Sequence, residues 1–191
     1  DLPADATTEQ LNAAIDELKK RGNVRATFLD LKDFNLENFD SPMSPAWISE
    51  PFPQENVARW TKAVGAQDGF IVVAPEYNRS LGGAMKNAFD WVYPEWNKKA
   101  IGFVGYGSTG GARAVEHMRN IAVELQMAPI RQGVHVSGAD FMGAIQQGKP
   151  LAEMEHLNQG VTVMLDQLAW WAKALKTARD ADAAVSASKA A

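Results

Sequence analysis

Residues 69–74 read Gly-Phe-Ile-Val-Val-Ala, apolar at every position, and Lys99–Gly105 carries Ile101, Phe103 and Val104. A strand with one face in water alternates polar and apolar residues. A run apolar on both faces belongs inside a parallel sheet that helices cover on each side. Parallel neighbours need crossovers long enough to hold a helix. Helical spacing appears where such crossovers belong. Residues 54–66 place Val57, Trp60, Thr61 and Val64 on one stripe, and 82–93 place Met85, Ala88, Phe89 and Val92. Residues 110–127 turn Ala112, Val115, Met118, Ala122 and Leu125 inward, and 155–175 does the same with Leu157, Val161, Met164, Leu165, Leu168, Ala172 and Leu175. A further helix is expected over 7–21, through Leu11, Ile15 and Leu18, with Gly22 as its stop. Further strands are expected at Val24–Leu31 and Ile130–Val136. Pro42, Pro45, Pro51 and Pro53 make 32–53 a loop. The Ala/Ser/Asp-rich segment 179–191 reads as a frayed tail.

The expected architecture is therefore α/β, in one domain, with a parallel sheet between helical layers. Ligands of such open sheets sit beyond the carboxyl ends of the strands. Three segments emerge there: 75–83, 105–111 and 137–143. In the first, Pro75 removes a ladder donor and turns the chain outward. Glu76, Tyr77 and Asn78 follow, then Ser80 as a candidate helix N-cap and the Gly82-Gly83 pair. The pattern alone fits either a plain strand-to-helix loop with a cap or a polar ligand platform. Asn78-Arg79-Ser80 also matches a glycosylation sequon, but no secretory leader is visible.

In the second segment, Gly105, Gly107 and Gly110 fit G-x-G-x-x-G after a strand and ahead of a helix. Bare backbone N–H groups at a helix start suit an anion or a polar ring edge. A dinucleotide site would also need an acidic residue at the end of the next strand. That strand reads Ile-Arg-Gln-Gly-Val-His-Val, and Asp140 comes later. A ligand-contacting glycine loop of another kind is the better reading.

The remaining chemistry is mostly excluded. There is no cysteine, which removes disulfides, thiolate metal sites and cysteine nucleophiles. His117, His135 and His156 have no metal-ligand spacing and read as structural or surface residues; no metal site is expected. No Ser-His-Asp set with a nucleophile elbow occurs, and no catalytic side chain is assigned. The net charge is −4, without a Lys/Arg stripe, which argues against nucleic acid. No apolar run spans a membrane, and the cytoplasm is the expected setting. Trp170-Trp171 sits at helical spacing and reads as core or interface.

Pro75–Trp91 (PEYNRSLGGAMKNAFDW) and Lys99–Arg119 (KAIGFVGYGSTGGARAVEHMR) together closely resemble the NADPH-dependent FMN reductase family. This is a flavodoxin-like group that includes azo-, quinone- and chromate-reductase-type enzymes. Its most specific mark is the P-E-Y-N turn followed by a K-N-A-x-D-W helix. The likeness runs from about Leu11 to Leu175, and includes Phe141-Met142-Gly143.

The resemblance implies a three-layer sandwich with strand order 2-1-3-4-5 over residues 1–178. It implies FMN as cofactor and NADPH or NADH as hydride donor. Pro75, Glu76, Tyr77 and Asn78 would lie along the flavin ring, their backbone groups on its pyrimidine edge. Gly107, Ser108, Thr109, Gly110 and Gly111 would approach the same ring. Hydride would pass on to a small-molecule acceptor: a quinone, an azo compound, a metal oxyanion or free flavin. A homodimer or homotetramer is implied, with the K-N-A-F-D-W helix and the 32–53 loop as interface surfaces. The alternative is a flavodoxin-like binding or assembly protein without tight FMN.

Two departures stand out. The family opens with a strand and a phosphate loop of the form G-S-x-R-x-x-S, whereas Asp1–Thr8 shows neither. Residues upstream of Asp1 are expected to supply them, with Thr7 and Thr8 as the loop's end. Arg79 follows the asparagine where a small or aromatic residue is usual. It is either solvated or placed to attract an NADPH phosphate.

Overall fold

The apolar run becomes β1, Gly69–Tyr77, and the second becomes β3, Ala100–Tyr106, in a computed structural model that describes residues 24–48 and 50–190. β1 and β3 pair in parallel, from Gly69 opposite Ala100 to Pro75 opposite Tyr106. β4, Ala128–Val136, pairs in parallel with the other edge of β3, with a register irregularity between Ile101 and Phe103. A two-residue strand, β2 at Ser80–Leu81, folds back antiparallel on the end of β1. The order is β2-β1-β3-β4.

Both faces of the sheet are used. Phe70, Val72, Ala74, Ile101 and Phe103 point to one side. There they meet α2 (Glu55–Gly65), α3 (Gly83–Asp90) and α4 (Ala112–Glu124) through Val57, Trp60, Val64, Ala88, Phe89, Val115 and Met118. Ile71, Val104, Ile130 and Val134 point to the other side, toward Leu157, Met164 and Leu165 of α6 (Glu155–Ala190). The alternation explains most of the apolar character of these runs, since successive side chains enter different cores; Val73, 43% exposed, is the exception.

The K-N-A-F-D-W segment has a structural task. Asn87 accepts from the Phe39 N–H at 2.8 Å and donates to the Glu37 carbonyl at 2.8 Å. The Trp91 indole donates to the same carbonyl at 2.7 Å, and Phe39 and Phe52 meet its ring edge-on. These bonds fasten the 32–53 segment to α3.

Four expectations are corrected. Val24–Asp30 is unpaired chain and not a strand, and α1 (Leu31–Phe34) follows it, capped by the Asp30 carboxylate on the Lys32 N–H at 2.9 Å. The expected sheet order separates this segment from β1 by another strand, and no described residue supplies one. Residues 138–147 form a helix, α5 (Gly138–Gln147), instead of a loop. The 179–191 segment is helical through Ala190. Its alanines favour helix, and Arg179 ties it down, donating to the Lys98 carbonyl at 2.7 Å and to Asp68 at 2.7 Å. Lys98 pairs with Asp182 at 2.8 Å. Of the two readings of Trp170 and Trp171, core is overturned and interface is not: they are 65% and 43% exposed and meet edge to face on the outer side of α6. The expected 7–21 helix, Thr7 and Thr8 lie outside the described residues.

Lys99 is buried at the sheet's other end, and its Nζ donates to the Val64 and Gly65 carbonyls at 3.1 and 3.0 Å. These are last-turn carbonyls of α2, which have no partner within the helix. Burial, then repulsion from Arg179, lowers its pKa from 10.5 to about 8. Between those values the unfolded chain keeps a proton that the folded chain has released, so stability rises with pH across that window. Below pH 8 both states hold the proton and this gain is absent. Relative to Lys99→Met, the protein is expected to gain about 2 kcal/mol between roughly pH 7.5 and 10, measured by urea unfolding. A constant difference between the two proteins would contradict this.

Candidate functional site at the carboxyl rim of the sheet

The Pro75–Asn78 stretch is a hairpin and not a strand-to-helix loop. β1 continues through Pro75 and Glu76 to Tyr77, and Tyr77 faces Ser80 across the turn. Asn78 and Arg79, the two turn residues, both have positive φ, 47° and 71°. Two-residue hairpins favour that geometry because its twist matches the strands. Ser80 is therefore in β2 and does not cap α3; Gly82 holds the cap position without a side-chain bond. The Ser80 hydroxyl instead meets His117 Nδ1 at 2.8 Å. The Tyr77 side chain is 63% exposed at the rim.

The glycine segment after β3 forms a tight turn into α4. Gly107, Gly110 and Gly111 all have positive φ. A Cβ on Gly111 would lie 2.5 Å from the Tyr106 nitrogen, and one on Gly110 would lie 2.9 Å from His135 Cβ. Only glycine fits this path. The turn leaves the Ser108 and Thr109 side chains exposed. Their backbone N–H groups donate to no acceptor among the described residues.

Glu76 joins the two segments. Its side chain is only 5% exposed. It accepts from the Arg113 backbone N–H at 3.0 Å and from Arg113 Nε at 2.5 Å, and it forms an ion pair with the same guanidinium. The Thr109 hydroxyl lies 3.4 Å from it, and Arg113 also donates to that hydroxyl at 3.1 Å. The Arg113 bonds hold the Glu76 carboxyl below the usual carboxylate range. Gly111 caps α4 without a side chain, so an acid from the neighbouring strand takes that position. This decides against the dinucleotide reading of G-x-G-x-x-G. The helix start that would take a pyrophosphate already holds the chain's own anion.

The third segment closes against the second. His135 Nδ1 meets the Gly110 carbonyl at 2.9 Å, and the Gly138 N–H reaches the Ser108 carbonyl at 3.4 Å. Phe141 of α5 stacks on Tyr106, with ring centres 6.4 Å apart and planes 19° apart. Burial, then the neighbouring Tyr77, raises the Tyr106 pKa. A capping box starts α5: Ser137 accepts from the Asp140 N–H, and Asp140 accepts from the Ser137 N–H. The Ser137 bonds, then His156 at 3.1 Å, keep Asp140 below its ordinary pKa.

All three rim segments are thus linked. They offer an exposed aromatic side chain, two backbone donors without an acceptor among the described residues, and a tightly packed glycine turn. That donor set fits a planar group with a polar edge. Arg113, His135, Tyr106 and Phe141 were not singled out in the sequence as parts of this arrangement. Two cavities of about 550 and 560 Å³ lie beneath the 40–54 segment, beside Trp91, lined by residues outside the rim.

A profile of the NADPH-dependent FMN reductase family matches residues 4–141. The NAD(P)H-dependent FMN reductase ntnL of Nectria sp is 34% identical over 126 residues, which cover 63% of this chain and 63% of the relative. A quinone reductase of Escherichia coli is 34% identical over 118 residues, 58% of this chain and 59% of its own. The chain spans less than two thirds of the length of these curated relatives. The flavoenzyme NAD(P)H:(acceptor) oxidoreductase FerB of Paracoccus denitrificans superposes with a TM-score of 0.64. It covers 88% of this chain and 93% of its own at 21% identity, which is a likeness of fold.

Proposed function

The chain belongs to the NADPH-dependent FMN reductase family, and we propose on that premise that it is an FMN-dependent NAD(P)H oxidoreductase working at the carboxyl rim of the sheet. One observation carries the reading: the Ser108 and Thr109 N–H groups find no acceptor among the described residues, at the same rim as exposed Tyr77, on a turn tied to Glu76 through Thr109 and to His135 through Gly110. Pro75, Glu76, Tyr77 and Asn78 would line one side of FMN through backbone groups and the Tyr77 ring. Gly107, Ser108, Thr109, Gly110 and Gly111 would line the other. Bound FMN supplies reversible acceptance and release of hydride, chemistry that no side chain offers.

The protein's part is position and electrostatics. The Glu76 carboxylate is neutralised by Arg113, so it adds little negative charge beside a ring that must gain electrons. The glycine turn packs against the end of β3 and against His135, where a Cβ on Gly111 or Gly110 would clash, and so holds the 107–111 backbone in place. The acceptor is a small molecule: a quinone, an azo compound, a metal oxyanion or free flavin. The quinone reductase among the relatives supports the first of these. No described helix is long and apolar enough to cross a membrane, and we place the activity in the cytoplasm. Trp47 and Met43, 78% and 49% exposed on the 32–53 segment, favour a homo-oligomer that covers them.

An absorbance scan tests the reading. The purified protein, reconstituted with FMN, is expected to show flavin bands in the blue that bleach when NADPH or NADH is added. A protein that stays colourless in FMN would leave a flavodoxin-like binding protein as the better description.

A further inference from the structure

We propose that the outward stripe of α6 centred on Ala174 docks the same stripe of a second copy of this chain, antiparallel about a two-fold axis. The stripe is the first indication. Val163, Gln167, Trp170, Ala174, Ala178, Ala181 and Val185 follow one another at steps of 4, 3, 4, 4, 3 and 4 residues. At 3.6 residues per turn they share an arc of about 80°. Asp166, Lys173, Lys176, Arg179, Asp180 and Asp182 all fall outside that arc. An outward helix face in water ordinarily carries such residues. Here it carries valines, alanines and a tryptophan, all exposed, and Trp171 stands exposed at its margin. The one polar member, Gln167, turns its side-chain carbonyl to the Gln132 N–H of β4 at 3.1 Å.

The order of sizes is the second indication. From Ala174 the steps read the same in both directions. An antiparallel copy therefore sets Trp170 against Ala178, Gln167 against Ala181 and Val163 against Val185, with Ala174 against itself on the axis. Each indole enters the gap left by an alanine. Each copy gives and receives the same contacts, as an isologous interface requires. A parallel copy would set Trp170 on Trp170 and leave alanines facing each other across a void. Covering both copies of the stripe, with Trp171, removes about 1,200 Å² from water in total, which reaches the size of a specific interface.

The helix end is the third. Among the described residues, the last side-chain bonds between α6 and the rest of the domain involve Arg179 and Asp182. Residues 183–189 are all exposed, yet the helix runs on through Ala190. A short helical end without packing is marginal in water. In the antiparallel pair Val185 lies against Val163 of the second copy, so the overhang rests on the other copy's α6.

Sedimentation of the full chain tests this. Ala174→Glu keeps a good helix former at an exposed position but sets two carboxylates together on the axis. It is expected to halve the sedimenting mass at micromolar concentration. Lys173→Glu, one residue away and off the stripe, is expected to keep the wild-type mass. The chain has no cysteine, so Ala174→Cys and Lys173→Cys each introduce a single thiol. The first is expected to cross-link two copies on mild oxidation, and the second is not. A wild type that sediments as a monomer overturns the proposal, whether residues 1–23 of the same chain cover the stripe or nothing does. An Ala174→Glu variant of unchanged mass also overturns it, and would leave any assembly to the 32–53 segment. Equal cross-linking at the two positions overturns it as well. None of these readouts involves FMN, so they stand whether or not flavin binds.

Discussion

Replacing Glu76 with alanine is expected to lower kcat/KM about 100-fold, the scale of a small misplacement at a reacting centre. The side chain touches three things at once: the first-turn N–H of α4, the Arg113 guanidinium and the Thr109 hydroxyl. Without it, the helix start loses its acceptor and the guanidinium loses its counter-charge. The glycine turn then loses its tie to β1, while the His135 bond still holds its far side. The Tyr77 rim and the Ser108–Thr109 backbone donors would no longer keep a fixed separation, and the proposed flavin site would be lost. FMN affinity, read by fluorescence quenching, should fall in parallel. Glu76→Gln keeps the shape and an acceptor but not the charge, so its loss should be smaller. Unchanged kinetics and affinity in the alanine variant would mean that the clamp does not position the site.

The second large effect is on stability. Gly111 adopts φ +68°, and a Cβ there would lie 2.5 Å from the Tyr106 nitrogen and 2.8 Å from the Gly105 carbonyl carbon. Both neighbours are backbone at the end of β3 and cannot swing away. Gly111→Ala is expected to cost at least about 3 kcal/mol, combining the left-handed penalty with displacement of the strand end. For a domain of this size, that lowers the melting temperature by roughly 10 °C. Gly83 is the internal control. It opens α3 at an ordinary φ, and a Cβ there meets nothing within 4 Å. Gly83→Ala should melt at or slightly above wild type. If the two variants melt alike, the turn is not the constrained element described here.

The sheet was legible because its signal is local. Runs 69–74 and 101–104 are apolar on both faces, and Phe70, Ile71, Val72, Ala74, Ile101, Phe103 and Val104 enter one of two cores, while Val73 stays 43% exposed. The rim was legible for a topological reason, since three segments following parallel strands must emerge on one edge. What joins them was not. Glu76 and Arg113 are 37 residues apart, and no periodicity links a strand-end acid to the second residue of a later helix. The hairpin was missed because Pro75 reads as a strand terminator, while the strand runs on to pair Tyr77 with Ser80. The start of α5 was there to be read: Ser137-Gly-Ala-Asp140 is a capping-box spacing. The tail misled in the opposite direction. Its composition lacks a buried stripe, but alanine-rich sequence favours helix and Arg179 anchors it to Asp68 and Lys98.

The most direct test is to locate the flavin ring in crystals of the protein grown with FMN. The account predicts the ring against Tyr77, with the Ser108 or Thr109 N–H within about 3.2 Å of its polar edge and the Glu76–Arg113 pair intact beneath. A ring bound anywhere else, or a rim filled by the protein's own side chains in the presence of saturating FMN, would contradict it.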